Sequence, residues 1–297
     1  MLRAWPVPAD LSPWIDGAMT VRLAPGPGVS RFPAMPQAML TMQRSVSADP
    51  AVPWSPPVFH TLATGPTHHP RDGALVAVGL VLQPAAAVCL LGGAGGAPVD
   101  AVLPWADLAG PAEAERVIAE VQRAAADRER LAALAGSVRR TLARLSRGDD
   151  LARARRLCTL VGRHGVQAHG LLGLGRRQLE RRCRALIGLA PTTFQQLVRF
   201  QGALSSALLR EEGARCGAAL ALDAGYCDQS HLGRALRRRA GAPLGVLLSQ
   251  ARDDAAWWSL ASHRLMRRVT IGPDSLGPGI GAQPDVVSAD GRLRHHR

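Results

Sequence analysis

DAGYCDQSHLGRALRRRAGAP, residues 223–243, decides how the rest of the chain is read. Leu232, Ala235 and Leu236 recur at helical spacing, while Gln229, Ser230, His231, Arg234 and the run Arg237–Arg239 occupy the other side of the same segment. Asp228 stands where a side chain can cap a helix N-terminus. Just upstream, Ala218, Ala219, Leu220, Leu222 and Ala224 form a short apolar helix, and Gly225 lets the chain turn at positive φ. A bracing helix, a glycine turn and a second helix with a small apolar seam under a polar face is the sequence pattern of a helix-turn-helix. In that motif the second helix presents its polar side chains to the DNA major groove.

The pattern occurs twice. At an offset of 53 residues, within GLGRRQLERRCRALIGLAP (173–191), Leu179 matches Leu232, Arg181 matches Arg234, Cys183 matches Leu236, Arg184 matches Arg237 and Gly188 matches Gly241. Core packing alone does not account for a near-repeat this polar. Between the copies, PTTFQQLVRFQGALSSALL aligns Phe194, Leu197, Val198, Gln201, Leu204 and Leu208 along one stripe. It is expected to be a linker helix that holds the two units at a fixed separation.

Charge points the same way. All 36 basic side chains, apart from histidine, are Arg and none is Lys, so single arginines carry little information and their distribution carries more. Residues 1–110 have net charge −1, 111–150 have +1, 151–252 have +12 and 253–297 have +1. A localised excess of this size marks a polyanion partner, with nucleic acid ahead of a membrane surface.

These residues bring a known family into view. RRQLERR, the Gly-Leu-Ala-Pro at 188–191 and ALDAGYCDQSHLGRALRR at 221–238 resemble the AraC/XylS transcriptional regulators over roughly residues 158–250. The resemblance implies two helix-turn-helix units entering successive major grooves on one side of double-stranded promoter or operator DNA. The base-reading positions it implies are Arg177, Glu180 and Arg181 in the first unit, and Gln229, Ser230, His231 and Arg234 in the second. Arg176, Arg182, Arg237, Arg238 and Arg239 are expected on phosphate. Chemistry supports several of these: Arg can pair bidentately with guanine, Gln with adenine, and Ser or helix-start amides with phosphate. A plainer role for Glu180 is to pair with a neighbouring Arg. The first unit departs from the family at Gly165, His169 and Gly170 in VGRHGVQAHGLLG, where the brace is expected to fray. It departs again at Cys183, where a large aromatic is usual and a looser core is expected.

The N-terminal part has a different texture. Residues 1–110 are rich in Pro and Gly between short apolar runs, as in a compact β-containing domain. WPVPADLSPWIDGAMTVRL and RFPAMPQAMLTMQ bear a fainter similarity to an uncharacterised sensor-like domain that precedes the DNA-binding half in some of these regulators. That similarity implies a small-molecule effector, homodimerisation or both, and RNA polymerase as a partner if the protein is an activator. The uncharged run 74–99 is long enough to span a bilayer, but Gln83-Pro84 interrupts it. A buried strand (74–82) followed by a short apolar helix (85–91) fits better. From Pro111, acids lead and arginines trail, and Val117, Val121, Leu131, Leu134, Val138, Leu142 and Leu145 recur at helical spacing. One or two amphipathic helices are expected there, closing the first domain or pairing two subunits, with SRGDD (146–150) as a linker and helix start.

The expected fold class is therefore α+β. A β-containing sensor-like domain (1–110) leads through an amphipathic helical segment and linker (111–150) to an all-α DNA-binding domain (151–252), and residues 253–297 are expected to form a short helix and a disordered tail. Five cysteines without a C-x-x-C pair, and an N-terminus without a secretory core, fit the cytoplasm. No cofactor is expected. His60, His68, His69 and Asp72 match no standard metal spacing and read as exposed loop residues. LGGAGGAP (91–98) has Pro98 where a dinucleotide loop needs its third glycine. The chain carries no P-loop, G-x-S-x-G or H-E-x-x-H, and it lacks the Pro-Cys-His loop of the repair methyltransferases fused to such DNA-binding halves, so it is not read as an enzyme. The alternatives are an architectural DNA-binding protein without an effector, and an enzyme domain carrying a DNA-binding tail.

Overall fold

A computed structural model of the chain describes residues 1–46, 52–92, 96–146, 149–209, 217–253, 259–260, 286–287 and 293–294. A β-sheet region comes first and a helical region follows. The strands are β1 (Leu2–Trp5), β2 (Ile15–Leu23), β3 (Pro27–Phe32), β4 (Ala38–Ser45), β5 (Val58–His60), β6 (Thr67–Asp72), β7 (Leu75–Leu82) and β8 (Val102–Pro104), with the short β9 (Val286–Val287) and β10 (Leu293–Arg294) far downstream. Among the described residues the main sheet runs β10-β9-β1-β2-β7-β4-β5-β8, with antiparallel pairing throughout, and β3 and β6 form a separate ribbon.

The uncharged run anticipated as strand and helix folds that way. In β7, successive side chains alternate faces. Val76, Val78, Leu80 and Leu82 join the large core, while Val81 joins the smaller cluster of Leu2, Ala4, Met19, Val21 and Leu23 on the opposite face. After Gln83, Pro84 opens helix α1 (Pro84–Leu91), where its missing N–H costs nothing, and Gly92 ends it at φ +68. Among the described residues no helix is long and apolar enough to cross a membrane.

The helical segment closes over the sheet. A short helix α2 (Trp105–Ala109) leads into α3 (Pro111–Arg123), and α4 (Asp127–Leu145) packs its buried Leu131, Leu134, Val138 and Leu142 into the same core as β7. Leu145, expected on that stripe, is exposed at the helix end. Glu113 of α3 grips Arg140 of α4 through both carboxylate oxygens, and the Trp105 indole donates to Ser137 Oγ at 2.9 Å. The buried carboxylate of Asp127 meets Arg22 of β2 at 2.7 Å and Arg130 at 3.0 Å. Burial pushes that carboxyl up, but the two guanidiniums outweigh it and hold it below the usual range.

The helical region comprises α5 (Asp150–His164), a 3-10 turn (Gly165–Gln167), α6 (Ala168–Leu171), α7 (Arg176–Leu186), α8 (Pro191–Leu209), α9 (Gly217–Asp223), α10 (Gln229–Ala240) and α11 (Leu244–Asp253). One contiguous apolar core runs from Leu80 and Trp105 through Leu134 and Val161 to Leu179, Phe194 and Leu232. The sheet and both repeated units therefore share an interior. The disordered tail expected at 253–297 is corrected at two points: β9 pairs with β1 and β10 pairs with β9, giving the otherwise open edge of β1 a hydrogen-bonding partner. Of the helix expected at WWSLASHRLMRR, only Ser259 and Leu260 are among the described residues; both are buried, and Ser259 Oγ donates to the Arg31 carbonyl at 2.6 Å.

Candidate nucleic-acid interface

In the first unit, VGRHGVQAHGLLG is not one frayed helix, which corrects the expectation. Val161–His164 finish α5, and Gly165 ends it at φ +55, where a Cβ would collide with the Gln195 side chain. That glycine is therefore required by a turn and is not a cost inside a helix. The 3-10 turn and α6 form the brace, and α7 buries Leu179 and Cys183 against it. Cys183 is fully buried. Burial pushes its thiol up to about 11 and that of Cys158, on α5, to about 12, so both are inert apolar fillers. Facing outward on α7 are Arg176, Arg177, Glu180, Arg181, Arg182 and Arg184. Glu180 accepts from Arg184 Nη2 at 2.8 Å, the helical pairing weighed as its plainer role.

In the second unit the brace faces differently from the expectation. α9 buries Leu220 and Ala221, whereas Ala218, Ala219 and Leu222 point outward. The missing apolar volume comes from Tyr226, which follows Gly225 at φ +75 and donates its backbone N–H to the Ala221 carbonyl at 2.7 Å. Its ring meets the His231 ring edge-on at 5.1 Å and carries the Arg199 guanidinium 5.9 Å from its centroid. Burial raises the Tyr226 hydroxyl pKa. Sequence reading passed over this residue although it is the sole tyrosine of the chain. Asp228 caps α10 as expected: its carboxylate accepts the His231 N–H at 2.7 Å. Leu232 and Leu236 are buried, and Gln229, Ser230, Arg234, Arg237 and Arg238 are exposed.

Arg239 requires a correction. It is buried, not laid along a surface for phosphate. Its guanidinium donates to the Thr64 carbonyl at 3.3 Å and its own carbonyl accepts from Ala34 N–H at 2.7 Å. Burial pulls its pKa down from the ordinary arginine value. On α10, side chains three and four residues apart share a face, so Arg239 falls beside Leu232 and Leu236 on the inner side.

The near-repeat is a structural one. Leu179 and Leu232 are both core, Cys183 and Leu236 are both core, and Arg181 and Arg234 are both exposed. Gly188 and Gly241 adopt φ +80 and +79. The linker helix α8 grips both units from positions one turn apart: Gln195 Nε2 donates to the Arg163 carbonyl at 2.9 Å, and Arg199 Nη1 donates to the Gly225 carbonyl at 3.0 Å. Phe194, Leu197, Gln201, Leu204 and Leu208 are buried along it, with Val198 half-buried.

The histidines set aside as metal ligands sit on strands and not in loops. His60 of β5 shares a hydrogen bond with Thr41 Oγ1 at 3.0 Å, and burial followed by the neighbouring His69 lowers its pKa to about 4. His69 packs edge-on against Phe32. Among the described residues no group of three His, Cys, Asp or Glu side chains is placed to hold a metal ion.

No curated protein sequence matches the chain. Among solved structures it is similar to ToxT from Vibrio cholerae O395, at 11% identity over 77% of this chain and 95% of that one, with a TM-score of 0.43. A second ToxT structure from Vibrio cholerae gives 12% identity over 78% and 97%, with a TM-score of 0.45. A third, solved with (E)-4-(8-methylnaphthalen-1-yl)but-3-enoic acid bound, gives 13% over 77% and 97%, with a TM-score of 0.44. Overlaps this loose do not fix a fold by themselves. Residues 170–250, from α6 to α11, match the family described as a helix-turn-helix domain. With the paired glycine turns, the capped α10 and the linker helix in place, the C-terminal region of this chain is a helix-turn-helix domain of the AraC type.

Proposed function

We propose that the chain is a sequence-specific DNA-binding transcriptional regulator that inserts α7 and α10 into successive major grooves. The observation that carries this reading is the repeat: two equivalent helices, each with an exposed Arg-rich face, are seated on one linker helix in a segment of net charge +12. Arg177, Glu180, Arg181, Gln229, Ser230, His231 and Arg234 are assigned to bases, and Arg176, Arg182, Arg237 and Arg238 to phosphate; Arg239, being buried, is not among them. Residues 1–110, closed by 111–150, are assigned the controlling role over 151–252. A small effector is assigned to the cleft of about 490 Å³ between α1, α5 and α7, lined by Val88, Leu157, Leu186, Arg153, Arg156 and Arg182.

The test is quantitative binding with base-by-base substitution of a duplex selected by the full chain. Arg234→Ala is expected to cost roughly 1–3 kcal/mol and to relax the preference at one base position. Unchanged affinity together with unchanged base preference would remove α10 from the groove. Competition against random duplex separates this reading from an architectural protein, for which affinity is indifferent to sequence.

A further inference from the structure

Both proposed recognition helices end against the same pair of loops from the β region. One is 61–66, between β5 and β6; the other is 96–101, leading into β8. On the first unit, Ala97 N–H donates to the Ala185 carbonyl at 3.0 Å, and a Cβ on Gly188 would collide with the Ala97 carbonyl and Val99. On the second unit, Thr64 receives Arg239 through its carbonyl, and Pro66 lies 3.7 Å from where a Cβ on Gly241 would stand. Gly188 and Gly241 are the matched turns of the repeat. The β region therefore touches the same place on each unit, once with each loop.

The two loops are fastened to one another. The Asp100 carboxylate accepts Thr64 N–H at 2.6 Å and Thr64 Oγ1–H at 2.5 Å, Asp100 N–H donates to the Leu62 carbonyl at 2.9 Å, and Thr61 Oγ1 accepts from Ala101 N–H at 2.9 Å. Asp100 is the one described non-glycine residue at positive φ, +54. A side chain is disfavoured there and persists only where its surroundings hold it, although Asp tolerates the region better than most. What holds it here is the pair of bonds from Thr64 together with its own N–H bond to the Leu62 carbonyl, beside the pairing of His60 with Val102.

We propose that the Thr64–Asp100 junction is a spacing lock, which fixes the separation and relative rotation of α7 and α10 and so sets the half-site spacing the chain accepts. The proposal rests on the DNA reading above. α8 holds the two units through its buried Phe194, Leu197, Phe200 and Leu204 as well as through Gln195 and Arg199. The cross-linked loops add a second connection between the units, which meets α8 at Arg239, whose guanidinium also donates to Gln196 Oε1 at 3.5 Å. One extra base pair between half-sites moves the second by about 3.4 Å and turns it by roughly 35°. Units joined by α8 alone follow more of that displacement than units joined by α8 and the cross-linked loops together.

Asp100 is solvent-exposed, and Asp100→Gly removes its carboxylate while relieving the positive φ, so the core is untouched. The full chain selects its own duplex from a random pool, and single base pairs are then inserted between the two protected half-sites. Wild type is expected to lose about tenfold in affinity per insertion, whereas Asp100→Gly loses only about threefold and keeps its base preferences within each half-site. Asp100→Asn, which can still accept the Thr64 N–H, is expected to restore most of the wild-type intolerance. Equal intolerance in wild type and Asp100→Gly overturns the lock. So does tighter binding of the original duplex by Asp100→Gly, which would mean that the loops hold the units out of register. Should Asp100→Gly lose helical circular dichroism, Thr64→Val, which deletes only the hydroxyl bond, replaces it: greater tolerance of insertions than wild type supports the lock, and equal intolerance overturns it. If wild type selects no sequence at all, the DNA reading itself falls and the lock falls with it.

Discussion

The two helix-turn-helix units present similar polar faces on differently made supports. The first is embedded: its brace is a 3-10 turn followed by a single α-turn, its core position 183 is a cysteine, and no side chain caps α7, whose N-cap is Gly175. The second is finished locally: Asp228 caps α10, Tyr226 fills the angle of the turn, and Gly241 closes the helix in the left-handed conformation. A unit with every local device present fixes more of its shape by itself, although Arg239 and Gly225 still bond to the 61–66 loop and to α8. A unit lacking them relies on α5, α8 and the 96–101 loop to hold it. The thin brace of the first unit is then a division of labour between local and tertiary contacts and not a defect.

The sharpest way to break this comparison is to remove the matched core leucines. Leu179→Ala and Leu232→Ala each delete a side chain almost wholly out of solvent, and each is expected to cost about 2–5 kcal/mol. Native-state hydrogen exchange of the α7 and α10 amides reads the two units separately. If Leu179→Ala costs much less than its counterpart, the first unit is loosely packed and its tertiary support is weak.

The cysteine gives a finer distinction. Position 183 was expected to leave a loose core, and in a loose core Cys183→Leu would fill space and stabilise. Cys183 is instead fully enclosed, with Phe194 and Leu197 also closed off in the same core. The larger side chain is therefore expected to overpack and cost about 1–3 kcal/mol in a denaturant titration. A gain in stability would restore the loose-core reading.

What the sequence made legible was local. The break at Gln83-Pro84 separates β7 from α1, Pro111 opens α3, Asp228 caps α10, and the Gly188/Gly241 match turns out to be a shared backbone conformation. Each of these depends on a few neighbouring residues. The features that stayed hidden depend on residues far away. Nothing around RRRAGAP tells that Arg239 leaves solvent for the Thr64 carbonyl, 175 positions earlier. The brace of the second unit was assigned by composition, so Leu222 was placed inside and Tyr226 overlooked, because the angle between α9 and α10 decides which side chain fills it. The side chains assigned to bases sit, apart from the half-buried His231, on exposed faces, and exposure alone cannot rank them.

The smallest effect is also the most direct probe of the difference between the units, because it exchanges a local device between them. Asp228→Ala removes the carboxylate that accepts the His231 N–H and is expected to cost about 1 kcal/mol, seen as faster exchange over the first turn of α10. Gly175 stands at the corresponding end of α7 with extended backbone angles (φ −73, ψ 154), and a Cβ added there meets nothing within 4 Å. Gly175→Ser therefore supplies a cap without strain, and a gain of a few tenths of a kcal/mol is expected over the first turn of α7. Serine adds no charge, so the arginine-rich face beside it keeps its potential. If the first unit is held mainly by α5, α8 and the 96–101 loop, slower exchange should stop at that first turn and leave the rest of α7 unchanged. Slowing along the whole helix would mean that a missing cap, and not dependence on distant contacts, is what sets the first unit apart from the second.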